Sequence, residues 1–218
     1  MNVEAFIAEF RRVMADTAVP YLWSDEEVVT YLNDAEKEAC ERALLLEDKL
    51  SPAVCSIALV ANQADYPLHE SIIQIKRLMF RGRKLDETSV EQMDGDDPRW
   101  ETRSGEPRQF IYSATAGLRM VPKPVIPEIV QLTVYRLPLD SLSADNDTGV
   151  PEVPARHHMR LLNWVYRCAY LKHDSETYNR DKAELQESTF QASFGIRESA
   201  NVMRKHRDKA PNVVQMRW

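Results

Sequence analysis

The chain has 218 residues, 44% of them apolar and 28% charged, with a net charge of −6, which is enough for an ample core without a metal or disulfide staple. No run approaches the roughly 18 apolar residues of a membrane span, which excludes an integral membrane helix, and the negative balance argues against a protein whose main task is to coat nucleic acid. The start, MNVEAFIAEFRR, has acidic residues and helical spacing where a signal peptide would place a basic and then an unbroken apolar stretch.

Glycine and proline divide the chain. Ten of the twelve prolines and five of the six glycines fall between Pro52 and Pro154, and helices exclude both residues from their interiors. This pattern predicts helices, then a strand-rich insert, then helices. Val3, Phe6, Ile7, Phe10, Val13 and Met14 recur at helical spacing and predict a first amphipathic helix that ends before Pro20. Ser24 can cap a second, with Glu27 reaching back and Trp23 and Val28 as a hydrophobic staple; Leu32, Ala35, Ala39 and Ala43 continue its inner face.

Beyond Pro52 the period approaches two, most clearly where Val130, Leu132 and Val134 alternate with Gln131, Thr133 and Tyr135. Further strands are predicted near Ile57, Ile73, Phe110 and Leu118, with turns at Arg81-Gly82 and Ala116-Gly117. Pro122, Pro124 and Pro127 should bend or end an edge, and Asp140 to Thr148 reads as a mobile connection. Helix resumes after Pro154, with Met159, Leu162, Val165, Tyr166 and Ala169 on one face and Leu161, Trp164, Cys168 and Leu171 on another. Asp174 or Ser175 can cap a last helix carrying Tyr178, Leu185, Phe190 and Phe194, and Gly195 can end it. The fold class is α+β: a helical bundle (1–51 and 155–195) with an inserted antiparallel β-rich domain (52–154) and an extended C-terminal arm (196–218).

The strong catalytic signatures are absent: no Gly-rich phosphate loop, GxSxG, HExxH or Cys/His ligand set occurs. Cys40, Cys55 and Cys168 lie far apart in apolar surroundings and read as reduced core residues. His157 and His158 are adjacent, so on a helix they point in different directions and do not share a metal. Asp94, Asp96 and Asp97 in DGDDPRW read as an acidic solvated turn, with a weak cation site as the alternative. His69-Glu70 lacks a second ligand. The expectation is a protein with no catalytic residue, metal or cofactor, and a small hydrolase using the acidic loop or His157 is the rival of a different class.

The segment IRESANVMRKHRDKAPNVVQMRW carries six Lys or Arg against two acids, a local +4, leaving −10 on the preceding 195 residues. It ends in Val213, Val214, Met216 and Trp218. A docking peptide anchored by the terminal Trp, a frayed end and a last helix on its own domain all fit this composition.

Taken in order, LWSDEEVVTYLNDAEKEACERA, QADYPL (63–68), WETRSGEPRQFIY (100–112), LRMVPKP (118–124) and VPEVPARHHMRLLNWVYRCAYLKHDSETYNRDKAELQESTFQASFG (150–195) resemble the head-to-tail connector, or adaptor, family of tailed bacteriophages. The resemblance implies a structural ring protein of the virion neck, commonly of twelve copies, made in the host cytoplasm. Its partners would be the portal protein, tail or nozzle proteins and further copies of itself, with DNA passing through the channel without sequence-specific binding. An acidic lining would repel phosphates and let the genome slide. The portal-docking role falls on Arg197, Met203, Arg204, Lys205, Arg207, Val213, Val214, Met216 and Trp218. A tail-completion or tail tube-terminating protein is the nearest alternative.

Overall fold

A computed structural model describes residues 1–113, 117–173 and 177–199. The helices are α1 (Val3–Met14), α2 (Asp25–Ala43), α3 (Pro52–Cys55), α4 (Val90–Asp96), α5 (His158–Tyr170) and α6 (Arg180–Phe194). The strands are β1 (Leu46–Asp48), β2 (Ser56–Leu59), β3 (Asp65–Tyr66), β4 (Ile72–Phe80), β5 (Arg83–Glu87), β6 (Ser104–Gly105), β7 (Gln109–Ser113), β8 (Gly117–Val121), β9 (Lys123–Pro124) and β10 (Glu128–Arg136). The fold is α+β, and contacts divide it into a helical unit (1–46 and 136–197) and a β-rich unit that includes 47–135.

In the helical unit Asn2 caps α1, and Val3, Phe6 and Phe10 turn fully inward while Val13 stays exposed. Ser24 caps α2 by accepting from the Glu27 amide at 3.2 Å. The expected return bond from Glu27 does not form, because its carboxylate instead accepts from the Tyr31 hydroxyl at 2.7 Å and from Lys172 at 2.8 Å. Val28, Leu32, Ala35 and Ala39 are buried; Ala43, in the last turn, is exposed.

α5 packs against α1, α2 and α6, which explains its two apolar faces: Leu161, Leu162, Trp164, Val165, Tyr166 and Ala169 are all buried. Met159 departs from the expected face and is exposed. Its helical stripe begins one residue earlier, at the buried His158, after a 3-10 turn over Ala155–His157. α6 is capped by Asn179, whose side chain accepts from the Lys182 amide at 2.9 Å; the expected caps Asp174 and Ser175 lie outside the described residues. Tyr178 therefore precedes the helix, and Leu185 faces outward while Ala183, Phe190 and Phe194 are buried. The stretch 140–148 is not a loose connection. Asn33 both donates to the Leu142 carbonyl (2.9 Å) and accepts from its amide (2.8 Å), so the side-chain amide of α2 substitutes for a strand partner.

In the β-rich unit the strands run β1-β10-β4-β5-β7-β8-β3 across one sheet, with β2 also pairing β10. Arg81 and Gly82 form the β4–β5 turn with φ of 48° and 75°, the doubly positive geometry whose twist suits a two-residue hairpin even without Asn at its first position. Phe80 then opposes Arg83. The sheet is mixed and not purely antiparallel, because β5 and β7 pair in parallel. Parallel neighbours need a crossover, and here α4 and a 3-10 turn at Trp100–Thr102 lie between them. Pro124 sits in β9, a short strand paired with β6, where its carbonyl accepts from Asn62 at 2.7 Å. Leu78, Phe80, Leu85, Phe110, Leu118, Met120, Val130, Leu132 and Val134 form the core.

Candidate functional site

Several of the described residues with chemical potential make structural contacts. His158 is buried, with Nδ1 2.8 Å from the Met1 amino nitrogen and Nε2 2.9 Å from the Val153 carbonyl. Burial lowers its pKa, so the neutral ring that donates to Val153 is the favoured form. His157 accepts from the Arg156 Nε–H at 3.0 Å, and burial followed by Arg156 and Arg160 lowers its pKa too. The two imidazoles have separate partners, as their adjacency requires.

DGDDPRW is not a turn throughout: Asp94 and Asp96 close α4. Asp94 accepts the Trp100 indole N–H at 2.8 Å, while Asp97 accepts from the Arg99 amide at 3.2 Å and pairs with Arg103 at 2.7 Å. Asp96 and Asp97 line a cleft of about 480 Å³ together with Met93, Trp100, Arg103 and Arg108. Among the described residues no three His, Cys, Asp or Glu side chains gather as a metal ligand set, and no helix is long and apolar enough to cross a membrane. His69 bonds Ser71 locally at 2.8 Å. Cys40 and Cys55 are buried, and burial pushes the Cys40 thiol up to about 12, well away from a reactive thiolate.

Glu36 is one of several buried acids that carry no local sequence signal. It is 1% exposed on the inner face of α2 and accepts from the Val153 amide at 3.0 Å. Burial, the dominant cause, raises its pKa above the ordinary 4.5 against the opposing backbone bonds from Val153 and Glu152. A raised folded-state pKa means the native state binds more protons than the unfolded one, so this group reduces stability as pH rises through that value. Glu36→Gln, which keeps an acceptor oxygen, is expected to melt higher than the natural chain at about pH 8. The gain should vanish at about pH 4, where both forms are neutral. Thermal denaturation across that range checks it.

The most organised polar cluster lies where the chain leaves the bundle. Gly195 ends α6 with φ 92°, and its amide donates to Gln191 at 2.8 Å; a positive φ at this place favours glycine. Its carbonyl accepts from Arg42 at 3.3 Å. Arg42 is almost fully buried and pairs with Glu38 at 2.8 Å, one turn back on α2, and with Glu187 of α6 at 2.9 Å. Glu187 in turn pairs with Arg167 at 2.9 Å. The Trp164 ring lies under Arg167 at 4.4 Å and near Arg42 at 5.1 Å, and its indole N–H donates to Asp34 at 2.6 Å. Two residues beyond Gly195, Arg197 reaches Glu38 at 3.1 Å and Glu41 at 2.9 Å. Positive and negative groups thus alternate along Glu41, Arg197, Glu38, Arg42, Glu187 and Arg167. Each buried charge meets an opposite one, the condition under which burial is tolerated.

Of the residues expected to dock, Arg197 is therefore placed at the root of the terminal segment. Met203, Arg204, Lys205, Arg207, Val213, Val214, Met216 and Trp218 lie outside the described residues. The Glu38–Arg42 pair was legible as a four-residue helical spacing; Glu187 and Arg197 carried no local signal.

A family model, that of the SU10 adaptor protein, matches residues 1–216. The chain belongs to the SU10 adaptor protein family. No curated protein matches it. Members of this family are structural adaptors of tailed phages, a class that works with portal and tail proteins in the virion neck and is not typically enzymatic.

Proposed function

We propose that this SU10 family adaptor assembles as a ring, of twelve copies, beneath the portal and around the channel through which DNA leaves the capsid. Its segment after Gly195 docks on the portal. The observation that carries this reading is the family match across residues 1–216, which takes in the helical unit, the β-rich unit and most of the basic terminal segment together. The charge break supports the docking role. A segment of local +4 on a chain otherwise at −10 is attracted to a partner surface of negative charge, and Trp is a common interface anchor. The acidic balance of the remaining chain suits a passage that releases DNA phosphates without holding them.

The test is to mix the purified adaptor with its matching portal and image the product by electron cryomicroscopy. The expected result is a ring complex for the full chain and loss of that complex when residues after Gly195 are deleted. Undiminished binding by the shortened chain would sink the docking role. Capture of tail components in place of the portal would turn the assignment to a tail-completion protein.

A further inference from the structure

Arg197, two residues beyond Gly195, is tied to α2 through Glu38 and Glu41. We propose that Glu38 and Glu41, on the last turns of α2, form an acidic seat for Arg197 that fixes the root of the C-terminal segment against the bundle and so sets where the segment departs. Arg197 is in this sense a positioning residue, and the inference deepens the docking reading on which it rests.

The seat is asymmetric in a way that makes it specific. Glu38 is 6% exposed and each of its carboxylate oxygens has a different cation: Oε1 takes Arg42 and Oε2 takes Arg197. Glu41 lies one helical step on and meets the second guanidinium nitrogen of Arg197 at 2.9 Å. Two carboxylates spaced i, i+3 on one helix face therefore receive the two arms of one planar fork, a geometry that a lysine cannot reproduce. Arg42 also donates to the carbonyl of Gly195. α2 thus holds the segment at the Gly195 carbonyl and at the Arg197 side chain. Without Arg197, Glu38 Oε2 would lose its cation while remaining buried, so the bundle itself favours the seated state.

The experiment uses the full chain without portal. Trypsin must draw an arginine out of its contacts to cleave after it, and when opening is fast the rate follows the population of the open form. Cleavage after Arg197, normalised to cleavage after Arg204 in the same chain, is measured by mass spectrometry at low salt. Glu38→Gln with Glu41→Gln is expected to speed the normalised rate about three- to tenfold, in line with one exposed and one half-buried ion pair. Glu41→Gln alone, at an exposed site that leaves the buried pair intact, should give about a twofold gain. Raising salt should speed the natural chain and leave the double variant unchanged. Equal normalised rates in the natural chain and in both variants would overturn the seat. Portal capture is scored separately on the natural chain, so a failure to bind portal counts against the docking reading while the cleavage ratio alone decides the seat.

Discussion

Replacing Gly117 with alanine is expected to destabilise the protein by roughly 3 kcal/mol, the upper part of the range for single substitutions. Two independent causes coincide there. Gly117 has φ +86°, a conformation that an L side chain enters only with strain, and a Cβ built on it would lie 2.4 Å from the Tyr66 carbonyl oxygen. That obstacle is backbone, and it belongs to a residue that cannot easily retreat. Tyr66 pairs with Leu118 across β3 and β8, and its buried hydroxyl accepts from the Val60 amide at 3.0 Å and lies within bonding distance of the Val60 and Gln63 carbonyls. Gly82 is the internal control. Its φ is +75° but a Cβ there meets nothing within 4 Å, so Gly82→Ala should cost only about 1 kcal/mol. Urea unfolding of the two variants measures the difference, and equal losses would show that the close approach at Gly117 imposes no constraint.

Asp16→Ala is the second large effect, again roughly 3 kcal/mol. Asp16 is 4% exposed and its carboxylate accepts from the Leu22 amide at 3.0 Å, the Trp23 amide at 3.3 Å and Arg11 at 2.9 Å. One side chain therefore closes the whole turn between α1 and α2. Arg11 continues the closure by donating to the Trp23 carbonyl at 3.2 Å, pairing with Asp25 and lying 3.6 Å from the centre of the Tyr21 ring. Alanine would strand two amides and remove one of the carboxylate partners of a largely buried guanidinium. Asp16→Asn keeps an acceptor and should lose about half as much. Equilibrium denaturation followed by circular dichroism tests the order, and an alanine variant no worse than the asparagine one would refute it.

The two variants also show what sequence could and could not disclose. Gly117 was expected in a turn with Ala116, which lies outside the described residues; it opens β8, and the backbone that closes on it comes from Tyr66, some fifty residues earlier. Asp16 carries no local signal that distinguishes it from any solvated acid after a helix. The same division runs through the candidate site. Gly195 was legible as a helix stop because its left-handed φ is a local demand. The seat for Arg197 was not, since Glu38 and Arg197 are brought together by the packing of helices far apart in the chain.

Some expectations missed for equally physical reasons. The spacing of Met159 and Leu185 fits an apolar stripe, but a stripe specifies a face and not where along its length a neighbour stops covering it. Asp94 reads as a turn residue by composition, whereas the Ser89 cap and the Trp100 indole hold it in a helix. The parallel pairing of β5 with β7 leaves no mark on the alternation of either strand, because alternation reports the buried face and is silent about direction.

By itself the sequence determined the helix–strand–helix order, the α+β class, the capped start of α2, the Arg81-Gly82 hairpin and the membership of an adaptor family, since each rests on local propensity, periodicity or the order of motifs. Tertiary structure alone decided the mixed sheet, the buried Glu36, the close approach at Gly117 and the ion-pair chain at the root of the terminal segment. Those features depend on which distant residues are brought within a few ångströms, and burial then turns an ordinary glycine, glutamate or arginine into one whose loss is felt.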